Sequence, residues 1–178
     1  MKKVLIITTS LRNGSNSDML AAAFKDGAVS AGNSVETVSL KGKTIGFCKG
    51  CFACQKIGKC VINDDANEIT DKIAAADAVV WATPVYYYEM SGQMKTMIDR
   101  ANSLFSRERN FKDVYLLATA DDASSSTIDG AMKGLDGWIK CMKGSRFAGS
   151  VFVGGIESAG EIEGNIGLKK AFDLGKGV

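Results

Sequence analysis

The sequence predicts an α/β fold built on a doubly wound parallel sheet. Five short runs rich in apolar and β-branched residues alternate with segments in which apolar residues recur every three or four positions. The first, third and fourth runs are almost continuously apolar, which is typical of central parallel strands covered on both faces. We expect the five strands at Lys3–Thr8, Ser34–Leu40, Ala78–Thr83, Val114–Thr119 and Phe147–Val153.

Three of the intervening segments carry an apolar stripe at helical spacing, from Leu20 to Ala31, from Met94 to Phe105 and from Ile128 to Met142. Shorter helices are predicted over Ala66–Ala76 and Asn165–Lys176. Because a helical segment accompanies each crossover, the sheet should be parallel, and five strands suit the flavodoxin-like order 2-1-3-4-5. In that order a ligand site lies beyond the carboxyl ends of strands 1, 3 and 4.

Length and composition narrow the class of protein. The 178 residues fit one domain, residues 1–178, with a long cysteine-rich connection at about 41–63. The chain has no histidine, which excludes Ser-His-Asp and Cys-His catalysis and histidine metal sites. A net charge of +2 favours neither a nucleic-acid nor a membrane partner. No apolar run could span a bilayer or act as a signal peptide, so we expect a cytoplasmic protein.

The loop after the first strand has the features of a phosphate site. Ser15 and Asp18 can form a capping box that starts a helix near Asn16. Free N–H groups at that helix end, the hydroxyls of Ser10, Ser15 and Ser17, and the charge of Arg12 would suit a phosphate monoester. The loop has neither a P-loop GK[ST] ending nor a dinucleotide fingerprint. Judged from this loop by itself, an ordinary polar turn with a serine cap explains these residues as well as a phosphate site does.

Two further loops are expected at the same edge of the sheet. After the third strand, Pro84 should end the strand, Ser91 can cap the next helix, and three tyrosines lie between them. Tyrosines in that position could flank a flat aromatic ligand, or could pack under the loop or at a subunit interface. The polar segment from Thr119 to Thr127 could line the pocket, or could be a solvated turn capped by Thr127.

Four of the five cysteines fall in one short motif, Cys48-x2-Cys51-x2-Cys54-x5-Cys60. Three thiolates at a spacing of three with a fourth nearby are typical of a loop that wraps a [4Fe–4S] cluster. Zinc, which prefers two separated C-x2-C pairs, and free or redox-active thiols are the alternatives. The fifth cysteine, Cys141, lies among apolar helical residues and is expected to pack in or near the core.

Taken together, the three loops and the cysteine motif resemble the NADPH-dependent FMN reductase and iron–sulfur flavoprotein family, whose fold is flavodoxin-like. The resemblance extends over nearly the whole chain and is most specific at Cys48–Cys60, Thr83–Tyr86 and Met94–Arg100. It implies FMN as cofactor and NAD(P)H as co-substrate. The FMN contacts that it implies are Ser10, Arg12, Ser15, Asn16 and Ser17 for the phosphate, Pro84, Val85, Tyr86 and Tyr87 along the ribityl chain and ring, and Thr119, Ala120 and Asp121 beside the ring.

The function implied is an oxidoreductase that passes electrons from NAD(P)H through FMN to a quinone, flavin or protein acceptor, with the cluster at Cys48, Cys51, Cys54 and Cys60 as a relay. The flavin carries the chemistry, so no protein residue is expected to act as a catalytic acid or base. The resemblance also implies a homodimer or homotetramer. The alternatives are a non-enzymatic electron-transfer protein, which a pI near 8.2 disfavours, and a thiol-based or zinc-bound regulatory domain.

Overall fold

The computed structural model describes residues 1–178 and contains one open, mostly parallel sheet. The parallel strands lie in the order β2-β1-β3-β5-β6, and a two-residue strand, β4, pairs antiparallel with the end of β3. Since β4 is an added hairpin strand, this is the predicted order, with the fourth and fifth parallel strands renumbered. The strands are β1 Lys3–Thr8, β2 Ser34–Ser39, β3 Ala78–Tyr86, β4 Glu89–Met90, β5 Asp113–Thr119 and β6 Arg146–Val153.

Five α-helices lie between the strands and a sixth follows the last strand, and local sequence explains where most of them begin. Ser15, Asp64, Ser91 and Asn165 each accept a backbone N–H in the first turn of the helix that follows, so the predicted starts near Asn16 and after Ser91 are confirmed. No helix is both long and apolar enough to cross a membrane. The helices are α1 Asn16–Ser30, α2 Ala53–Ile57, α3 Asp65–Ala75, α4 Gly92–Arg100, α5 Asp129–Cys141 and α6 Ile166–Lys176, with 3-10 turns at Ala101–Phe105 and Ser125–Ile128.

The sheet separates two apolar cores. Helices α1 and α6 pack on one face, around Phe24 and Ile6, while α3, α4 and α5 pack on the other, around the fully buried Trp81. Helices α1 and α6 pack with their backbones in contact. Glycine is needed at Gly27 and Gly175, because a methyl group at either position would collide with a main-chain carbonyl of the opposite helix. Both faces of the central strands are therefore covered, and the carboxyl edge of the sheet stays open.

Two local predictions were wrong, and the structure excludes one alternative that the sequence left open. Strand β3 continues past Pro84, because Pro84 is the last residue paired with β5, and Val85 and Tyr86 then pair with β4. Cys141 is exposed, because at 100° per residue it points roughly 120° away from the buried Leu135. Thr127 caps no helix: Ser124 caps the 3-10 turn there, and Thr127 is buried.

Candidate functional site

A cavity of about 230 Å³ opens at the carboxyl edge of the sheet, between the loops that follow β1, β3, β5 and β6. Eleven of the twelve residues predicted to bind the cofactor line it, and Tyr87 does not. Two lining residues, Ile156 and Glu157, were not predicted. The cavity is lined by Ser10, Arg12, Ser15, Asn16, Ser17, Pro84, Val85, Tyr86, Thr119, Ala120, Asp121, Ile156 and Glu157.

The β1 loop supplies buried donors to this cavity. Ser10, Ser15 and Ser17 are each at most 5% exposed, and the Ser15 and Ser17 hydroxyls lie 3.3 Å apart. The backbone N–H groups of Asn16 and Ser17, at the first turn of α1, have no acceptor within the protein. Unpartnered N–H groups at a helix N-terminus attract anions, because the helix dipole adds to their partial charge. This end of the cavity fits a phosphate group.

Arg12 and Asn16 also fasten the β6 loop to the cavity. The guanidinium of Arg12 donates to the carbonyl of Glu157 at 2.6 Å. The Asn16 side chain donates to the Ser158 carbonyl at 2.8 Å and accepts the Ile162 N–H at 3.2 Å. Asn16 thus bridges two loops that lie more than a hundred residues apart in the chain, and Arg12 keeps further N–H donors for an anion.

The β6 loop is the part of the site that sequence reasoning missed. Its one local signal is the pair Gly154–Gly155 after the last strand, where a methyl group on Gly154 would collide with the backbone of Asp122. The loop is braced by Glu161, whose carboxylate accepts the N–H groups of Glu157 and Ser158. These two hydrogen bonds lower the pKa of Glu161.

The β3 and β5 loops form the opposite walls. Val85, Thr119 and Ala120 are buried, while Tyr86 is half exposed and Asp121 is exposed. Thr83 positions the β3 loop, because its hydroxyl accepts the Ser91 N–H and donates to the Pro84 carbonyl. Tyr87 is 99% exposed and lies on the far side of the hairpin turn, in a neighbouring cavity.

One carboxyl group, that of Asp18, is partly buried close to the phosphate end. Burial raises the pKa of Asp18, against the lowering effects of hydrogen bonds from Ser15 and Thr8 and of the charge on Lys41. Its Oδ1 atom has no hydrogen-bond partner. A carboxyl that is more easily protonated repels a nearby phosphate less, which is compatible with an anion at the first turn of α1.

The four clustered cysteines lie around a second, small cavity of about 20 Å³ below the sheet edge. Cys48 and Cys51 are exposed, Cys60 is partly buried and Cys54 is buried. Two sulfurs accept hydrogen bonds, Cys48 from the Gly50 N–H at 3.4 Å and Cys54 from the Asn102 amide at 3.3 Å. Hydrogen bonds of this kind stabilise thiolates and tune iron–sulfur centres.

A buried ion pair fixes both ends of the cysteine loop. The side chain of Arg100 in α4 is 0% exposed, and it binds the carboxylate of Asp64 at 2.5 and 2.8 Å. It also donates to the carbonyls of Gly46 at 2.7 Å and Ile62 at 3.2 Å. Its hydrogen bond to Asp64 raises the pKa of Arg100, against burial, and the nearby Cys60 raises it further.

No three Cys, Asp or Glu side chains converge closely enough to hold a single metal ion. That geometry argues against a preformed zinc site, which needs four ligands around one ion. A [4Fe–4S] cluster requires a different arrangement of ligands, because each thiolate binds a different iron and the four cysteine sulfurs are spread around a cube. Four cysteines on the wall of one cavity fit that donor set.

The sequence is similar to a known family and to curated relatives. The sequence profile of the family described as NADPH-dependent FMN reductase matches residues 2–144. An iron–sulfur flavoprotein of Archaeoglobus fulgidus is 34% identical over all of this chain and 79% of its own length. An iron–sulfur flavoprotein of Methanosarcina thermophila is 36% identical over 61% of this chain and 56% of its own.

Solved structures share the fold at low sequence identity. An NAD(P)H:quinone oxidoreductase from Methanothermobacter marburgensis superposes with a TM-score of 0.74 at 17% identity, over 98% of this chain and 96% of its own. An azoreductase from Bacillus anthracis gives a TM-score of 0.73 at 17% identity over the full length of both chains. These likenesses confirm the flavodoxin-like α/β architecture.

Proposed function

Because this chain belongs to the NADPH-dependent FMN reductase family, we propose that the cavity between the β1, β3, β5 and β6 loops binds FMN and that electrons leave it for a quinone, a flavin or a protein acceptor. The chain is an FMN-dependent NAD(P)H oxidoreductase. The observation that carries the assignment of the site is the convergence of eleven predicted residues from three separate loops on one cavity.

The phosphate of FMN would bind at the first turn of α1. The free N–H groups of Asn16 and Ser17, the buried hydroxyls of Ser10, Ser15 and Ser17, and the Arg12 guanidinium offer donors to its oxygens. Nothing in the loop provides a second phosphate site, which favours FMN over FAD. A cofactor found by mass analysis to be FAD would contradict this interpretation.

The flavin ring would lie between the β3 and β5 loops. Pro84, Val85 and Tyr86 form one wall, and Thr119, Ala120 and Asp121 form the other. When bound, FMN accepts two electrons from reduced nicotinamide and can pass them on singly or as a pair. The chain's own residues bind the phosphate, orient the ring and limit solvent access, and none of them has to act as an acid or base.

We propose further that Cys48, Cys51, Cys54 and Cys60 hold a [4Fe–4S] cluster, which would relay single electrons. The support is their position around one cavity, the N–H donors to two of the sulfurs, and the resemblance to proteins named iron–sulfur flavoproteins. From the family membership we propose also that a second subunit closes the FMN cavity, in a homodimer or homotetramer.

One experiment tests both proposals. The protein is purified anaerobically, its absorption spectrum is recorded, and its iron, zinc and sulfide contents are assayed before NADPH is added. We expect a flavin spectrum that NADPH bleaches rapidly, together with about four irons and four sulfides per chain. A colourless protein, or a flavin that NADPH alone does not reduce, would overturn the reductase proposal. Reconstituted protein without iron and sulfide would overturn the cluster alone.

A further inference from the structure

Two hydrogen-bond donors lie against the cysteine loop at the end of α4: Arg100, and Asn102 in the 3-10 turn that follows. Both line the small cavity that the four clustered cysteines surround. We propose that these two side chains, here called the donor pair, hydrogen-bond two of the cysteine sulfurs and raise the reduction potential of the cluster, so that it accepts single electrons from reduced flavin. The inference rests on the proposed cluster and names the residues that tune it.

Arg100 has one N–H group that the protein does not use. A guanidinium carries five N–H groups. Its two Nη atoms use four of them, on the carboxylate of Asp64 and on the carbonyls of Gly46 and Ile62. The fifth, on Nε, is buried and has no hydrogen-bond partner. Since a charged donor that is buried without an acceptor is costly, we expect this N–H to find its acceptor in the cluster-loaded protein.

The sulfur of Cys60 is the acceptor that fits this N–H group. The pKa of Arg100 is raised by its hydrogen bond to Asp64, against burial, and further by Cys60, which places the sulfur next to the guanidinium. Arg100 lines the cysteine cavity, whereas Asp64 does not. The positive member of the ion pair therefore faces the cysteines, and the negative member offsets its charge from outside the cavity.

Asn102 supplies the second donor. Its amide donates to the sulfur of Cys54 at 3.3 Å, and the side chain makes no other hydrogen bond. Cys54 is 8% exposed, so this hydrogen bond is largely shielded from water and is stronger than it would be at the surface. Arg100 and Asn102 thus act on different sulfurs, and replacing Asn102 removes one hydrogen bond to a sulfur and no other hydrogen bond.

The charge around the cysteine motif acts in the same direction. Residues 41–63 contain five lysines and no aspartate or glutamate. One of these lysines, Lys49, lines the cavity. Asp99 is the one carboxylate on the cavity wall, and Lys95 binds it at 2.7 and 2.8 Å. Because salt screens the charge of exposed lysines, the buried Arg100 should have the larger effect.

Donors to the sulfurs favour the reduced cluster, because it carries one more negative charge than the oxidised cluster. A higher potential favours transfer from reduced flavin, one electron at a time. Over two such transfers the balance is FMNH₂ + 2 [4Fe–4S]²⁺ → FMN + 2 [4Fe–4S]⁺ + 2 H⁺, and the two protons go to solvent. The electrons come from NAD(P)H, which reduces FMN beforehand.

A redox titration of the reconstituted, cluster-loaded protein tests the role of the donor pair. With dithionite as reductant, the cluster is followed by the EPR signal of its reduced state and FMN by its absorbance. We expect Asn102→Leu, which keeps the branched shape of the side chain but removes the donor, to shift the ratio of oxidised to reduced cluster at a given potential roughly three- to tenfold toward the oxidised state. A tenfold shift for one electron lowers the potential by about 59 mV. The FMN potential and the iron and sulfide contents should not change.

Asn67→Leu is the matched control. The Asn67 amide donates to the carbonyls of Cys60 at 3.2 Å and Ile62 at 3.0 Å, so it holds the same loop, but it donates to no sulfur and does not line the cavity. This variant should lower the free energy of unfolding and leave the cluster potential unchanged. If it lowers the potential as much as Asn102→Leu does, packing of the loop rather than the donor sets the potential, and the proposal is wrong.

Arg100→Lys tests the other donor. Lysine keeps a positive charge for Asp64, which favours folding, but lacks the Nε–H group. We expect a shift in the same direction as for Asn102→Leu. Arg146→Lys should cause no shift, because Arg146 binds Asp113 at the amino edge of the sheet, away from the cysteine loop.

The outcomes separate the donor pair from the cluster itself. A wild-type cluster potential in both Asn102→Leu and Arg100→Lys would overturn the inference and leave the proposed cluster standing. If Arg100→Lys does not fold, the potential of Asn102→Leu decides alone. Wild-type protein that holds no iron or sulfide after reconstitution would overturn the proposed cluster, and the inference with it.

Discussion

Replacing Arg100 by methionine tests whether the buried ion pair stabilises the cysteine loop. Methionine keeps most of the side-chain volume but removes the guanidinium, which is 0% exposed. Four hydrogen bonds are lost: two to Asp64, and one each to the carbonyls of Gly46 and Ile62. The Asp64 side chain, 7% exposed, is left without its countercharge.

Breaking a buried pair by removing one partner costs about 3–5 kcal/mol, because the remaining charge stays buried. We expect Arg100→Met to lower the free energy of unfolding by about that amount in urea titrations at pH 7. The matched control is Arg107→Met, whose partner Asp71 has a side chain 65% exposed. Loss of that exposed pair should cost at most about 1 kcal/mol.

The pH dependence provides an independent check of the same pair. Burial raises the pKa of Asp64, but hydrogen bonds from Arg100 and from the Gly46 and Ala66 N–H groups outweigh it and hold the pKa below the ordinary 3.8. A lowered folded-state pKa contributes stability above pH 3.8 that is lost as the pH falls through the lower value. The stability difference between wild type and Arg100→Met should therefore shrink as the pH falls toward 3. A loss below about 1 kcal/mol at pH 7, or a difference that does not change with pH, would refute the reasoning.

Three further predictions follow from the geometry. Arg12→Ala should weaken FMN binding by about 1.5–3 kcal/mol, the range for a charge-assisted hydrogen bond, measured by fluorescence titration of apoprotein; unchanged affinity would remove Arg12 from the phosphate site. Cys54→Ser should lower iron and sulfide content far more than Cys141→Ser after anaerobic reconstitution, and equal losses would contradict a four-cysteine cluster. Gly175→Ala should destabilise the protein by more than about 2 kcal/mol in urea, because the added methyl group would collide with the Phe24 carbonyl; a neutral result would show that α6 can move away.

Most of the fold could be predicted because hydrophobic periodicity and capping residues act locally. The alternation of strands and helices gave the sheet order, and Ser15 and Ser91 marked the helix starts that the structure has. The errors arose where pairing with a neighbouring strand determines how far a strand extends, or where the helix face determines whether a side chain is buried. Pro84 remains in a strand because it ends one ladder where another begins, and Cys141 lies just outside the apolar stripe of its helix.

The candidate site could be predicted only in part, because only some of its loops carry a signal in the local sequence. The β1, β3 and β5 loops carry recognisable local chemistry, and their residues converge because parallel strands end at one edge. The β6 loop carries no such signal. Its place at the cavity depends on contacts from Arg12 and Asn16 to Glu157 and Ser158, which only the folded chain reveals.

The strained residues lie at the two places where we propose redox chemistry. Only Phe52, Tyr87 and Tyr88 have positive φ angles without being glycine. Phe52 precedes α2 inside the cysteine motif, and the two tyrosines form the turn beside the FMN cavity. The N-cap residues of α1, α3, α4 and α6 follow local preference, so backbone strain is confined to a few positions. Because such conformations cost about 1–3 kcal/mol each and persist only where the surroundings enforce them, their position is an argument for function that is independent of the family resemblance.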